Sequence, residues 1–340
     1  LISGEPSENW KKGSEYLLTF EVTVPDYLDS DKYMLQFDTD EFVIRNVDYD
    51  GNIIRGYYFN LDAGERTLTE SKIIKENGRV YLTVNGEKVA PMMYLREQKT
   101  VFKTEYASGM FDADVDLMCL PNCRIYNMNS NGTMWEGYGK YNFELLDEVV
   151  YETLQGAPSA KLMLMLDADP PTWWLRQNPD AYAVNSAGKR TGVSYASEKW
   201  REDIGVFYTA LLQYVLKQPY ASHIFAVKIG AGDTFEWQYS GQSLDTCADF
   251  GTASVNGFRK WLTEKYGTDA ALRAASNKNS VSLASAAVPT YQERRATTYE
   301  TLLDGKTQRN VIDFHEFMSD VTTDSILYFA EIVKRETNGK

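Results

Sequence analysis

Histidine and cysteine are scarce in this chain of 340 residues, with two of the first and three of the second. Cys119 and Cys123 sit in the run CLPNC and Cys247 stands alone. An odd set with no second pair argues against a disulfide framework, and a zinc site would need more ligands than two histidines can add. Buried thiols are the expected reading, with no metal and no cofactor. Long hydrophobic runs are missing as well. No apolar stretch approaches the roughly 18 residues that cross a bilayer, so no membrane partner is expected. Basic charge is in deficit, with 35 Lys and Arg against 48 Asp and Glu and a net charge of −13. Such a surface repels nucleic acid and anionic membranes. Neither a Gly-rich phosphate loop nor a Ser-His-Asp arrangement stands out. His223 opens a strand and His315 lies on a helical stretch, both structural positions. The chain begins at Leu1 with no visible signal peptide, and upstream sequence is expected to have been removed.

What the chain has in quantity is aromatic surface: 23 Tyr, 15 Phe and 7 Trp, or 13% of residues. That suits stacking on flat or ring-shaped ligands, although large cores use aromatics too. The length fits two domains. Residues 1–87 alternate apolar and polar positions in YLLTFEVTV, YMLQFDT, FVIRNV and IIRGYYFNL, and Asn77-Gly78 and Asn85-Gly86 are hairpin signals. They predict a β-sandwich with lead-in hairpins. From residue 88 the rhythm becomes strand then helix. APMMYL, DADVDLMCLP, AKLMLMLDAD and HIFAVKIGAG read as strands, the third as one buried on both faces. YNFELLDEVVYETLQGA and SEKWREDIGVFYTALLQYVLKQ, opened by Ser197, read as amphipathic helices. Residues 88–340 therefore predict a (β/α)8 TIM-type barrel of which about the first four β/α units are present. Two helices follow, then the polar, irregular stretch 277–308 and a long terminal helix.

In such barrels the site forms at the C-terminal ends of the strands. The fourth strand runs into GDTFEW, where Glu236 stands between Phe235 and Trp237. A carboxyl beside apolar rings loses solvation and can act as a proton donor near neutral pH, and the competing reading is a loop glutamate in an ion pair. The third strand ends in DADPPTWWL. Trp173 and Trp174 read equally as a sugar platform and as a hydrophobic lid, and Asp167 and Asp169 as substrate contacts or, more simply, as loop caps. Trp135 and Glu136 read as ligand contacts or as a staple onto the next helix. An Asn131-Gly132-Thr133 glycosylation match is a weak signal.

The motifs resemble those of clan A glycoside hydrolases, nearest to the family 42 β-galactosidases. VNGEKVAPMMYL looks like the entry to the first barrel strand, and MWEGYGKYNFELLDEVV is similar to the family's Trp-Glu-Gly segment with YDF-LD. DADPPTWWLRQNPDAYAVNSAGKRTG resembles its PP-WL loop and FRKWLTEKYGTDAALRAA its FR-WL helices. The resemblance covers residues 85–337 and implies a retaining β-glycoside hydrolase with two carboxylic acids. It gives Glu236, at the end of the fourth strand, the acid/base role. Trp135, Asp169, Trp173, Trp174, Asp233 and Trp237 are expected to bind the carbohydrate substrate. The nucleophile, at the end of a seventh strand, is expected beyond Lys340, so that the remainder of the barrel or another chain completes the site and residues 1–340 alone do not hydrolyse glycosides. An extracytoplasmic or secreted location is expected, with a cytoplasmic one left open. Two departures stand out: Phe235 where many relatives have the Asn that binds the sugar 2-hydroxyl, and Ser276 where they have Trp. They give weight to an alternative, a non-catalytic carbohydrate-binding protein on a degenerate hydrolase barrel. A barrel enzyme acting on phosphorylated metabolites is a second alternative, and the aromatic loops speak against it.

Overall fold

The computed structural model of the chain describes residues 33–38, 41–47, 53–60, 69–95, 104–120, 133–157, 159–232, 235–240, 245–297 and 302–340. Strands β1 (Tyr33–Asp38), β2 (Glu41–Val47) and β3 (Ile53–Asn60) form an antiparallel sheet in that order. A second antiparallel sheet joins β4 (Ser71–Glu76), β5 (Arg79–Val84) and β6 (Glu87–Val89). Its turns are the two Asn-Gly pairs. Asn77 and Gly78 have φ of 48° and 78°, and Asn85 and Gly86 have 50° and 84°. A two-residue hairpin turn with both φ positive matches the strands' right-handed twist, which is why Asn-Gly is read there.

The expected sandwich over residues 1–87 falls in part outside the described residues. The hairpin sheet packs against the lower end of a parallel sheet. Val84 is buried with Leu117 and Phe225, and Leu82 and Val89 pack beside them. The Thr69 and Ser71 hydroxyls donate to the carbonyls of Ser222 and Phe225. The expected strand over residues 16–24 lies outside the described residues.

The parallel sheet is built from β7 (Met93–Leu95), β8 (Leu117–Cys119), β11 (Lys161–Asp167) and β14 (Ile224–Gly230), adjacent in chain order. Helix α1 (Thr104–Phe111) links the first two. A hairpin of β9 (Trp135–Gly137) and β10 (Lys140–Tyr141), then α2 (Glu144–Gly156), lead to β11. Helix α3 (Thr172–Gln177), a second hairpin of β12 (Tyr182–Val184) and β13 (Arg190–Val193), and α4 (Glu198–Val215) lead to β14. The sheet is open, and no closed barrel is found among the described residues.

The outward face of the sheet makes the main core. Leu162, Leu164 and Leu166, on alternate positions of β11, are buried against Leu146, Val149 and Val150 of α2 and Trp200, Ile204, Tyr208 and Leu211 of α4. Burying each such side chain contributes about 1.5–3 kcal/mol. Helix α4 starts where the sequence says it should, with the Ser197 hydroxyl accepting the Trp200 amide hydrogen at 3.2 Å.

After β14 come α5 (Thr252–Tyr266), α6 (Asp269–Ser276), α7 (Tyr291–Arg295) and α8 (Arg309–Glu336). The expected irregular stretch contains α7, whose capping box pairs Thr290 with Glu293. Phe258, Leu262, Leu272, Phe314 and Phe317 knit α5, α6 and α8 into a second core. Asp313, buried on α8, takes bonds from Arg309 Nη2 at 2.6 Å, Tyr266 Oη at 2.8 Å and Lys265 Nζ at 3.0 Å, which compensates the desolvation of its charge. Ser276 is buried with its hydroxyl bonded to the Leu272 carbonyl at 2.8 Å, so it serves as a small packing residue. No helix among the described residues is long and apolar enough to cross a membrane.

Candidate active site

The upper ends of β11 and β14 leave the sheet side by side. Asp167 is the ladder partner of Gly230, and the Ala168 amide donates to the Gly230 carbonyl at 2.8 Å. Beyond this point Pro170 and Pro171 stiffen the β11 loop and start α3 with Pro171 as its N-terminal flank.

Two of the three tryptophans around that loop, Trp135 and Trp174, meet α4. Trp174 is fully buried and its indole donates to Asp203 Oδ2 at 2.7 Å. Trp135 is 2% exposed and stacks on Phe207 with ring centroids 5.8 Å apart. Trp173, partly buried, donates its indole hydrogen to the Trp135 carbonyl at 2.9 Å and meets the Trp135 ring edge-on. Trp135 and Trp174 thus tie the β9–β10 hairpin and α3 to α4, and Trp173 ties α3 to the hairpin. Glu136 is exposed at the middle of β9.

The β14 loop is tied down at several points. Gly232 has φ +85°, and a Cβ there would fall 1.9 Å from the Gln238 carbonyl oxygen, so only glycine fits the isolated bridge that Gly232 makes with Gln238. Phe235 and Trp237 have φ of +62° and +59°, a region bulky side chains rarely adopt. The two turns aim both rings inward. Phe235 is buried among Cys119, Met163 and Met165 on the concave face of the sheet, in contact range of Gly230. The Lys228 ammonium lies 5.1 Å from its ring centre. The Trp237 indole donates to the Ile229 carbonyl at 3.3 Å and packs between Tyr195 and Phe329.

With its neighbours turned inward, Glu236 projects outward and is exposed, and the Gln238 amide donates to its Oε2 at 3.3 Å. The poorly hydrated setting expected from the flanking rings is not present in this structure, because the rings that adjoin Glu236 in sequence leave it in space. Asp233 lies outside the described residues, as does Cys123. Asp169 accepts the Gly232 amide hydrogen on Oδ2 at 3.0 Å, and Asp167 Oδ1 accepts the Asp169 amide at 2.9 Å.

Two tyrosines that the sequence analysis passed over brace the segment after Glu236. Tyr195 Oη donates to the Gln238 carbonyl at 3.0 Å, and the Tyr239 hydroxyl accepts the Tyr195 amide hydrogen at 3.1 Å. Burial pushes the Tyr239 phenol far above its ordinary range, so it stays neutral. Asp249, also missed, is buried and accepts from the amides of Val184 at 3.0 Å and Gly251 at 2.7 Å, holding β12 against the start of α5. Burial raises its carboxyl, against the lowering by those hydrogen bonds. Burial likewise pushes the Cys119 thiol up to about 12, partly offset by Lys228. It is therefore a neutral packing group rather than a metal ligand or nucleophile. Among the described residues no cluster of His, Cys, Asp and Glu could hold a metal ion.

Residues 105–340 match the family model for β-galactosidase, glycoside hydrolase 42. The chain belongs to this family. Solved β-galactosidases share its fold. The enzyme of the psychrophilic Marinomonas ef1 is 20% identical over 73% of this chain and 36% of its own, with a TM-score of 0.53. That of Bacillus circulans sp. alkalophilus is 19% identical over 72% and 35%, with a TM-score of 0.52. That of Rahnella sp. R3 is 16% identical over 69% and 32%, with a TM-score of 0.50. The family 42 chain thus spans about a third of the length of these structures. At such identities the likeness is one of fold, that of a TIM-barrel catalytic domain, and the four-stranded parallel sheet of this chain is open among the described residues. No curated protein matches the sequence.

Proposed function

We propose that this family 42 chain carries the acid/base side of a retaining β-galactosidase site, with Glu236 as general acid and then general base. The observation that supports it best is the placement of Glu236: an outward carboxylate at the C-terminal end of the fourth strand, presented by a turn whose two flanking residues hold left-handed backbone conformations. Each such conformation costs a bulky residue of the order of 1–3 kcal/mol, and cost of that kind concentrates where a side chain must be aimed.

In this reading the glycosidic oxygen of a β-galactoside lies against Glu236, which protonates it as the bond breaks. A second carboxylate, about 5–5.5 Å away, forms the covalent glycosyl-enzyme, and Glu236 then draws a proton from the water that releases it. The resemblance assigns that second carboxylate to a seventh strand, and the parallel sheet among the described residues has four. Trp237, which is half-buried, and Asp233, by its position in the sequence, are candidates for sugar contacts. The buried Trp135 and Trp174 would shape the site from behind.

The test is chemical rescue. In the full-length protein, Glu236→Ala is expected to lower turnover of a nitrophenyl β-galactoside by about 10²–10⁴-fold. Sodium azide should restore it and yield a β-galactosyl azide, because a small anion in the vacated space needs no base. Turnover that is unaltered by the substitution would reject the assignment.

A further inference from the structure

We propose that Asp169 is a positioning residue for Glu236: through its bond to the Gly232 amide it holds the loop that presents the acid/base, and it does not bind sugar. This rests on the role given to Glu236 above.

The main-chain ladder between β11 and β14 ends with the bond from Ala168 to Gly230. The residues that would extend it are Pro170 and Pro171, which have no amide hydrogen and lead the chain into α3. At that point a side chain takes over. Asp169 Oδ2 receives the Gly232 amide hydrogen at 3.0 Å, and the Asp169 amide is itself fixed on Asp167 Oδ1 at 2.9 Å. A hydrogen bond to a charged acceptor is about twice as strong as a neutral one.

Gly232 is a sensitive place for such a hold. It forms the bridge with Gln238, and the Trp237 amide donates to the Ala231 carbonyl at 2.8 Å. These contacts bracket Glu236 between residues 231–232 and 237–238. Gln238, on the far side of the bracket, donates to the Glu236 carboxylate. A shift of Gly232 therefore carries both the backbone of Glu236 and its hydrogen-bond partner.

Hydrogen exchange and kinetics of the full-length protein test this together. Asp169→Ala is expected to speed amide exchange across residues 232–238 at least about 10-fold while leaving β11 and α4 protected. Asp169→Asn, which keeps an acceptor oxygen at the same reach, should restore most of the protection. Asp169→Ala should also lower kcat/KM for an alkyl β-galactoside at least about 10-fold more than for a dinitrophenyl one, since in the bond-breaking step only the poor leaving group needs a well-placed acid. KM should change little, and Asp169→Asn should recover the ratio. Should Asp169→Ala not fold, Asp169→Ser, whose side chain stops short of Gly232, makes the same comparison. Unchanged exchange at 232–238, equal losses on both substrates, or a raised KM at constant kcat would overturn the proposal. Glu236→Gln in the same assays separates the two ideas. If it leaves the alkyl-to-aryl ratio untouched, the acid/base reading fails and the positioning role falls with it. If it collapses the ratio while Asp169→Ala does not, only the role of Asp169 is rejected.

Discussion

The two faces of the parallel sheet are built differently. The outer face, with Met118, Leu162, Leu164, Leu166, Val227 and Ile229, is covered by helices that follow each strand and joins one large core. The concave face is covered by two visitors from elsewhere. Val84 of the hairpin sheet closes its lower end against Leu117 and Phe225, and Phe235 closes its upper end against Cys119 and Met165. The outer face takes its stability from many interdigitated side chains. The inner face depends on single side chains delivered by turns, so a small change there moves a loop rather than unfolding the protein.

Breaking the outer face should have the largest effect. Trp200 is fully buried, donates to the Ala168 carbonyl at 2.7 Å, and meets Tyr195 and Phe329. Trp200→Ala should cost about 3–5 kcal/mol, read as a fall in the midpoint of urea unfolding. A loss below 1 kcal/mol would mean that this core is not the principal source of stability.

The inner face should respond less in stability and more in geometry. A Cβ at Gly230 would lie 2.3 Å from the Phe235 ring. Gly230→Ala should cost about 1–3 kcal/mol and displace residues 235–238, seen as changed fluorescence of Trp237. Phe235→Ala combined with it should recover part of the loss, because the clash is then gone.

Asp249 sharpens the comparison through pH. Its folded carboxyl is raised above the ordinary value by burial, so the folded state holds the proton more tightly than the unfolded state. Stability from this group accordingly falls as pH rises through the window between the ordinary value and the raised one, by no more than about 1.4 kcal/mol per pH unit. Asp249→Asn should flatten that slope in thermal melts across acidic pH. An unchanged slope would assign it to other groups.

Much of the outer face was legible from sequence because periodicity records it. The apolar runs of β11 and β14, the stripes of α2, α4 and α8, and the Ser197 cap all announce which side is buried. Helix α1 was missed because TEYASGMF carries no clear stripe and includes Gly109. The lead-in hairpins were legible from Asn-Gly, but not that they would pack against the parallel sheet. The site was legible in part. The family motifs located Glu236 at the end of the fourth strand, whereas the direction of each ring was hidden. Trp135 and Trp174 show in sequence that aromatic surface is present, not that it meets α4. The inward turn of Phe235 depends on positive φ at two non-glycine residues, which leaves no mark in the composition.

The central claim, that Glu236 donates the proton to the leaving sugar oxygen, is tested most directly by leaving-group dependence. In the full-length protein, log kcat/KM for a series of aryl and alkyl β-galactosides should be nearly flat against leaving-group pKa. With Glu236→Gln it should fall steeply, with activated substrates retained and alkyl ones lost by at least about 100-fold. A Glu236→Gln variant whose plot is parallel to that of the parent would contradict the account.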